Sequence, residues 1–424
     1  MFNLKKLKKI DFYFLNFIII FKFFCLFLLF FIQYFDCSLF LNKNFEKKNV
    51  FSKKYFLFKK NISKQYLFKV KEQFFYQNKN IKISAKSWIS IDVNSGQILS
   101  SYLPNLSIEP ASLTKIMTAY VVFKSLKEEN LKLEQRIIIS EKAWRTVGSR
   151  MFVEPGKLAT IHELNQGMII QSGNDASVAL SEAISIHESS FVYLMNKEAK
   201  RLKMEKTFFI NSTGLPDKNH KSSVLDLANL SRNLIREFPQ FFHYYSQKKY
   251  KYNGINQINR NNLLFIDNSI DGMKTGYTSS AGYCLIATAK KGDRRILTVI
   301  VGSDSEFLRS KESLKLIKWS FENFESINLK TKESCLINSM VWNGNKSFIN
   351  LIFPKNVYLS IPKSYLNYMK LNIYFDNPII APIFEGQKIF KFFITLNGSV
   401  LLEDYFIIND NIMKKNNLKI IFKK

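Results

Sequence analysis

The chain is poor in the residues that build metal centres and disulfide frameworks. Its four cysteines, Cys25, Cys37, Cys284 and Cys335, include no CxxC pair, and its four histidines, His162, His187, His220 and His243, show no metal-ligand spacing. Metal-dependent and disulfide-scaffold chemistry are therefore unsupported, and no cofactor is expected. Negative charge is also scarce: 34 Asp and Glu stand against 62 Lys and Arg, a formal net charge of +28. Such an excess suits nucleic acid or an anionic membrane surface. The lysines, however, are spread along the whole chain together with Asn, Ile and Phe, and no nucleic-acid motif with interleaved aromatics gathers them. No nucleic-acid partner is expected. Internal repeats are absent as well.

What is present begins with an apolar segment. Lys5, Lys6, Lys8 and Lys9 precede a run from Phe12 to Phe35 that one charge, Lys22, interrupts. About two dozen residues suffice for a helix to cross a bilayer, and the basic flank would stay on the cytoplasmic side. A cleaved signal peptide has the same charge order but wants small residues before its cut site, and the candidates near Cys37 and Ser38 are poor. The expectation is an uncleaved signal anchor within residues 1–40, which would place the rest of the chain at the inner membrane, facing the periplasm or cell exterior.

With 424 residues, the chain has room for two folded units besides this segment. Residues 41–80 mix Lys and Asn with aromatics, without a period or Gly/Pro punctuation, and read as a basic tether. Folded structure is expected from residue 81. Trp88, Ser90 and Asp92 alternate against Ile89, Ile91 and Val93, then Asn94-Ser95-Gly96 precedes Gln97-Ile98-Leu99, the pattern of a hairpin. Helical spacing follows Ser112, with Ile116, Tyr120 and Phe123, and recurs at 161–171, 175–186, 190–202 and 224–236. Strands are expected at 283–289 and 296–301, and a closing helix at 314–324. A hairpin, then helices, then strands would set the terminal strands of a domain, residues 81–324, side by side against a helical block. Residues 325–424 change texture to short apolar runs such as SFINLIF, VYLSI and FKFFITL between Asn, Gly, Pro and Lys, the pattern of a small all-β domain.

The chemistry-bearing strings lie in the first of these domains. A serine hydroxyl is a poor nucleophile near neutral pH, so it needs a base within hydrogen-bond reach and donors where the oxyanion forms. Ser112-Leu113-Thr114-Lys115 supplies a candidate, because residues three apart share a helix face. The Lys115 amine can act as base only if its proton is lost through desolvation or a neighbouring cation. Alone the string is weak: S-x-x-K recurs at Ser246 and Ser360. Ser172-Gly173-Asn174, before an apolar helix, and Lys274-Thr275-Gly276, just ahead of the strand expected from Tyr283, complete an order that only Ser112 satisfies. Each string also has a plain structural reading. Ser112 could cap a helix, Ser172-Gly173-Asn174 could form a turn and N-cap, Gly276 could mark a strand boundary, and Cys284 is read as a small buried apolar residue.

These segments resemble those of the low-molecular-mass penicillin-binding proteins of the D-alanyl-D-alanine carboxypeptidase type, peptidase family S11. The similarity runs through Pro110 to Thr118, Ser172 to Ala176, Asn211 to Pro216, Asn259-Arg260-Asn261 with Leu263-Leu264, and Asp271 to Thr278, covering about residues 85–324. It implies a serine β-lactamase/transpeptidase-like α/β (α+β) catalytic domain with an antiparallel sheet and helical block, followed by the β domain. It further implies that Ser112 attacks the penultimate D-Ala carbonyl, Lys115 accepts its proton and Ser172 relays a proton to the leaving amine. Asn174 would bond the substrate backbone, Lys274 and Thr275 would hold the terminal carboxylate, and the NH groups of Ser112 and Tyr277 would form the oxyanion hole beside Gly276. Arg309 matches a carboxylate-binding arginine, but it could equally pair with Glu306 or Glu312. Peptidoglycan stem peptides and β-lactams are the implied partners.

The rivals are a β-lactamase and a D,D-endopeptidase of the same fold. A class A lactamase needs a deacylating glutamate, and no E-x-x-x-N string lies between Asn174 and Lys274. The β domain favours the carboxypeptidase over the endopeptidase. One departure from the family concerns attachment, which is commonly a C-terminal amphipathic helix; the closing NNLKIIFKK is too short for one, and the N-terminal segment would replace it.

Overall fold

A computed structural model describes residues 81–328, 337–353, 358–375 and 378–415. The expected anchor and tether, residues 1–80, lie outside the described residues, among which no helix is long and apolar enough to cross a membrane. The chain divides into two compact units, with a division between Ser326 and Ile327.

In the first unit, strand β1 (Ser87–Asp92) turns back into β2 (Ile98–Tyr102), as the alternation predicts. The turn is held by Asp92, whose Oδ1 accepts the amides of Asn94 and Ser95, both at 3.0 Å. Helix α1 (Lys115–Lys127) follows, and every residue from Lys115 to Phe123 is buried. A helix covered on all sides belongs to the middle of a core, not to its surface. Around it pack α2 (Ile161–Ile170), α3 (Asn174–Ile184), α4 (Glu188–Arg201) and α5 (Val224–Glu237), within a residue or two of their expected limits. Their starts are chemically marked: Thr160 and Glu163 form a reciprocal capping box on α2, and Ser223 caps α5.

Strands β3 (Ile270–Thr278), β4 (Gly282–Lys291) and β5 (Arg294–Ser303) complete a five-stranded antiparallel sheet in the order β2-β1-β5-β4-β3. Strand β1, near the start of the domain, therefore lies beside β5, near its end, as expected. Both faces of the sheet are covered, because alternate residues feed different cores. Cys284, Ile286, Leu297 and Val299 join the helical block, whereas Leu285, Ala287 and Ile296 pack with Ile317 and Phe324. The polar positions of β1 consequently meet protein instead of water. Ser90 Oγ lies 2.7 Å from Ser320 Oγ, and Asp92 pairs with Arg294 at 3.1 Å.

One expectation is corrected and another completed. The closing helix, α6 (Glu306–Asn323), starts eight residues before its expected limit. Its first turns are polar and show no apolar stripe; the start is set by Ser305, whose side chain accepts the Leu308 amide. Lys274-Thr275-Gly276 does precede the strand expected from Tyr283, β4, but it also lies within a strand of its own, β3, at the edge of the sheet. Its alternation was masked by the charge and glycine, because β3 is buried at Gly272–Gly276 whatever the residue type.

The second unit contains a six-stranded sheet, formed by β6 (Ile337–Trp342), β7 (Phe348–Ile352), β8 (Met369–Tyr374), β9 (Ile379–Ile380), β10 (Lys388–Leu396) and β11 (Ser399–Ile408), in the order β8-β10-β11-β7-β6-β9. Phe353, Phe392 and Phe406 meet in its core with ring centroids 4.8–5.1 Å apart. The all-β expectation holds for this unit.

The Asp92–Arg294 pair has a measurable consequence, since Asp92 is wholly buried. Asp92→Ala leaves Arg294 without its carboxylate and frees two turn amides, and is expected to cost about 3 kcal/mol in urea unfolding. An unchanged unfolding midpoint would refute this role.

Candidate active site

Ser112 lies in a 3-10 turn, Ala111–Thr114, that runs directly into α1, so Lys115 is the first residue of the helix. Ala111 has a φ of 47°, a left-handed conformation that an alanine adopts only when its surroundings enforce it. Gly214 supplies part of that enforcement: at φ +84° it lies so close that a Cβ there would sit 1.8 Å from the Ala111 carbonyl oxygen. Only glycine fits between the two segments.

The turn brings the two residues of the first string together. Lys115 Nζ is 3.0 Å from Ser112 Oγ, 2.7 Å from Asn174 Oδ1 and 2.7 Å from the Thr213 carbonyl oxygen. These three acceptors surround an amine that is only 1% exposed. Burial chiefly, with the Arg260 guanidinium adding to it and Asp175 opposing, brings the Lys115 pKa down to about 7. Near neutral pH much of the amine is thus unprotonated, with a lone pair available to a hydroxyl proton.

Ser172 follows α2 in a left-handed turn, φ 64°, and is buried. Gly173 is the N-cap of α3, and Asn174 its first residue. Both ends of the Asn174 amide are engaged: Oδ1 faces Lys115, while Nδ2 donates to the Val147 carbonyl at 2.6 Å. The next residue, Asp175, carries no chemistry in the sequence reading but organises this side of the site. Its buried carboxylate accepts the amides of Met151, Phe152 and Val153 at 3.0–3.3 Å, pinning the segment that also bonds Asn174.

Strand β3 runs along the opposite side. A Cβ on Gly276 would lie 3.3 Å from the Ser112 backbone nitrogen, so the strand passes against the Ser112 turn. Lys274 and Thr275 are buried, and Lys274 Nζ donates to the Thr275 carbonyl at 3.0 Å. Burial, followed by the charges of Lys115, Arg260 and Arg309, drives the Lys274 pKa well below its ordinary value. Tyr277 is half exposed, its ring centroid 4.4 Å from that of Tyr283. Of the alternatives left open for Arg309, the structure shows the pair with Glu306, at 2.7 Å. Arg309 also lies close enough to Lys274 to shift its titration. Glu312 instead pairs with Lys315, at 3.7 Å.

The sequence reading missed Arg260. It stands in the Asn259-Arg260-Asn261 segment, where the two asparagines are structural ties: Asn261 Nδ2 donates to Gly272 O and Asn259 Nδ2 to Gln247 O. Those ties set Arg260 where it bears on both lysines. Thr213 was also missed, because it contributes a backbone carbonyl, which no side-chain pattern announces. Cys284 is buried beside the strand, and burial pushes its thiol up to about 11, as suits a packing residue. Among the described residues, no cluster of His, Cys, Asp or Glu could hold a metal ion. The arrangement is a hydroxyl beside a desolvated amine, facing a group of cations suited to a carboxylate.

Residues 73–305 match the Peptidase S11 family model, described as D-alanyl-D-alanine carboxypeptidase. Residues 324–420 match the model for the penicillin-binding protein 5 C-terminal domain. The chain is 36% identical over 338 residues to the D-alanyl-D-alanine carboxypeptidase DacC of Escherichia coli K12, covering 78% of this chain and 84% of that protein. It superposes on penicillin-binding protein 5 of Haemophilus influenzae with a TM-score of 0.72 at 34% identity, covering 79% of this chain and 99% of the other. A Listeria monocytogenes penicillin-binding protein D2 in its ampicillin-bound form is 28% identical over 57% of this chain and 99% of its own, with a TM-score of 0.53. With a family model matching more than half of its length, and with its serine, amine and cationic strand in one place, the chain belongs to peptidase family S11, the serine D-alanyl-D-alanine carboxypeptidases.

Proposed function

We propose that Ser112 is the nucleophile and Lys115 its base in removing the terminal D-alanine from peptidoglycan stem pentapeptides. The observation that carries the reading is the 3.0 Å contact between Ser112 Oγ and a buried amine whose pKa lies at about 7. As Oγ bonds the penultimate D-Ala carbonyl carbon, its proton passes to Lys115 Nζ, and the oxyanion is taken by the Ser112 and Tyr277 amides. Collapse breaks the C–N bond, and Ser172 relays the proton from Lys115 to the departing amine. Water then cleaves the ester, returning Ser112 and releasing the shortened peptide.

Binding draws on the other side of the cleft. Lys274, Thr275, Arg309 and Arg260 form a cationic seat for the terminal carboxylate. Asn174 orients Lys115 and stands ready to bond the substrate backbone, while the free edge of β3 at Gly276 offers main-chain groups to an extended peptide. β-Lactams would enter the same seat through their own carboxylate and acylate Ser112. The C-terminal unit favours the carboxypeptidase over a D,D-endopeptidase.

The proposal extends to attachment: an uncleaved anchor within residues 1–40 and a basic tether over 41–80 would hold the catalytic unit, residues 81–324, outside the inner membrane, with the β domain, 325–424, following it. Intact-mass measurement on protein extracted from the membrane fraction is expected to return the full N-terminus. A mass corresponding to cleavage near Cys37 would replace the anchor with a signal peptide.

Two further measurements address the chemistry. A fluorescent penicillin is expected to label the protein covalently, and a D-Ala-D-Ala pentapeptide to release free D-alanine. Both should be lost in Ser112→Ala; label persisting in that variant would assign the nucleophile elsewhere. The acylation rate constant should rise about tenfold per pH unit below the Lys115 pKa and level off above it, because only the deprotonated amine accepts the hydroxyl proton. That places the bend at about pH 7. A flat profile from pH 5 to 9, about two units either side, would remove Lys115 as the base.

A further inference from the structure

The segment from Phe208 to Ser222 forms a cradle beneath the nucleophile turn. Ser222 exchanges two backbone hydrogen bonds with Ile108, each 2.9 Å, and Lys221 exchanges two with Phe208. Thr213 gives its carbonyl to Lys115, and Ser212 gives its own to Thr118 Oγ1 at 2.6 Å. Within this cradle His220 is 2% exposed. Its Nε2 lies 2.9 Å from Thr114 Oγ1, and its Nδ1 faces the Ile210 amide at 3.4 Å. The Phe209 ring meets it edge-on, with centroids 5.6 Å apart.

An amide N–H can only donate, so Nδ1 must be the bare nitrogen. The imidazole proton then resides on Nε2, which donates to the Thr114 hydroxyl. Thr114 stands immediately before Lys115 and two residues after Ser112, at the junction of the 3-10 turn with α1. Whatever rotates this residue rotates the hydroxyl against the amine.

We propose that His220 is a positioning residue: by fixing the Thr114 hydroxyl through Nε2–H it holds the turn in which Ser112 faces Lys115. The inference rests on the reading of Ser112 as nucleophile. The ring's surroundings agree with a neutral donor. Burial first, then the charges of Lys115 and Lys221, bring its pKa down to about 4 against the opposing pull of Asp217 and Glu109. A second proton would place a donor on Nδ1 against the Ile210 amide, so the charged ring does not fit the seat.

The test compares Thr114→Val, Thr114→Ser, His220→Leu, His220→Gln and the double variant Thr114→Val/His220→Leu, in penicillin acylation and in D-alanine release, with thermal melts alongside. Thr114→Val and His220→Leu should each acylate at least about tenfold more slowly, because a small misplacement of reacting groups is costly. The double variant should be no slower than the slower single one, since both remove the same bond. Thr114→Ser and His220→Gln, which retain a hydroxyl and an N–H donor, should recover most of the rate. Unchanged acylation in Thr114→Val, additive losses, or no recovery in the conservative variants would overturn the proposal. Nitrogen NMR of the unmodified protein should place the proton on Nε2 at neutral pH; a proton on Nδ1 overturns it even if the apolar variants do not fold. Label retained in Ser112→Ala would instead undo the underlying functional reading, and the two failures are thereby told apart.

Discussion

Everything in the catalytic unit is arranged around one buried amine. Lys115 has three oxygen acceptors within 3.0 Å and almost no access to water. Desolvating an ammonium costs several kcal/mol, which the protein meets partly with these acceptors and partly by letting the proton go. On the proposed reading, that compromise is what makes the neighbouring hydroxyl reactive. If Lys115 were better solvated it would remain charged and inert as a base; if it had a directly bonded carboxylate it would be locked in the charged form. Asp175, the carboxylate that raises its pKa, makes no direct bond to it and spends its oxygens on backbone amides.

The second constraint is an excess of positive charge. Lys274, Arg309 and Arg260 act on one another across a small region, and Arg309 is the one of them with a bonded carboxylate, Glu306. Buried like charges destabilise a fold. They are tolerable where a ligand carboxylate completes the set, and one of them, Arg260, makes Lys115 easier to deprotonate meanwhile. On the proposed reading, the seat for the substrate and the activation of the base therefore meet at Arg260, which the Asn259 and Asn261 ties hold where it acts on both Lys115 and Lys274.

Much of this was legible in the sequence, for reasons that differ by element. The helices at 161–170 and 224–237 were readable because their apolar positions repeat with the helical period. The hairpin at 87–102 was readable from its alternation and turn residues. Helix α6 was cut short because its first turns carry polar residues, and Lys274-Thr275-Gly276 was set outside a strand because a catalytic edge strand keeps residues that break the apolar pattern. Ser112, Lys115, Asn174 and Lys274 announce themselves as side chains in ordered strings. Thr213, Gly214 and Asp175 do not, since they act through a carbonyl, a missing Cβ and a set of amide bonds. Arg260 and His220 were visible as letters, but the effect of the one on Lys115 and of the other on Thr114 arises only when segments more than a hundred residues apart meet.

The same geometry bears on how the acyl-enzyme is resolved. Hydrolysis of the ester needs a base for water, and the two carboxylates that the site's residues feel are already committed, Asp175 to backbone amides and Glu306 to Arg309. On the proposed reading, Lys115 is left to serve in both halves of the reaction. It takes the Ser112 proton in acylation, gives it up through Ser172 to the leaving amine, and is then neutral again when water arrives. Acylation and deacylation would consequently share one titration. A lactamase separates these duties by bringing a dedicated glutamate to the second step. With one amine in both steps, the ester would outlast the first step whenever the departing group remains tethered in the cleft, as the opened ring of a β-lactam does, and would clear readily when it diffuses away, as D-alanine does. On that reading, trapping by penicillins and turnover of stem peptides would differ through the leaving group, tethered or free, and not through the base.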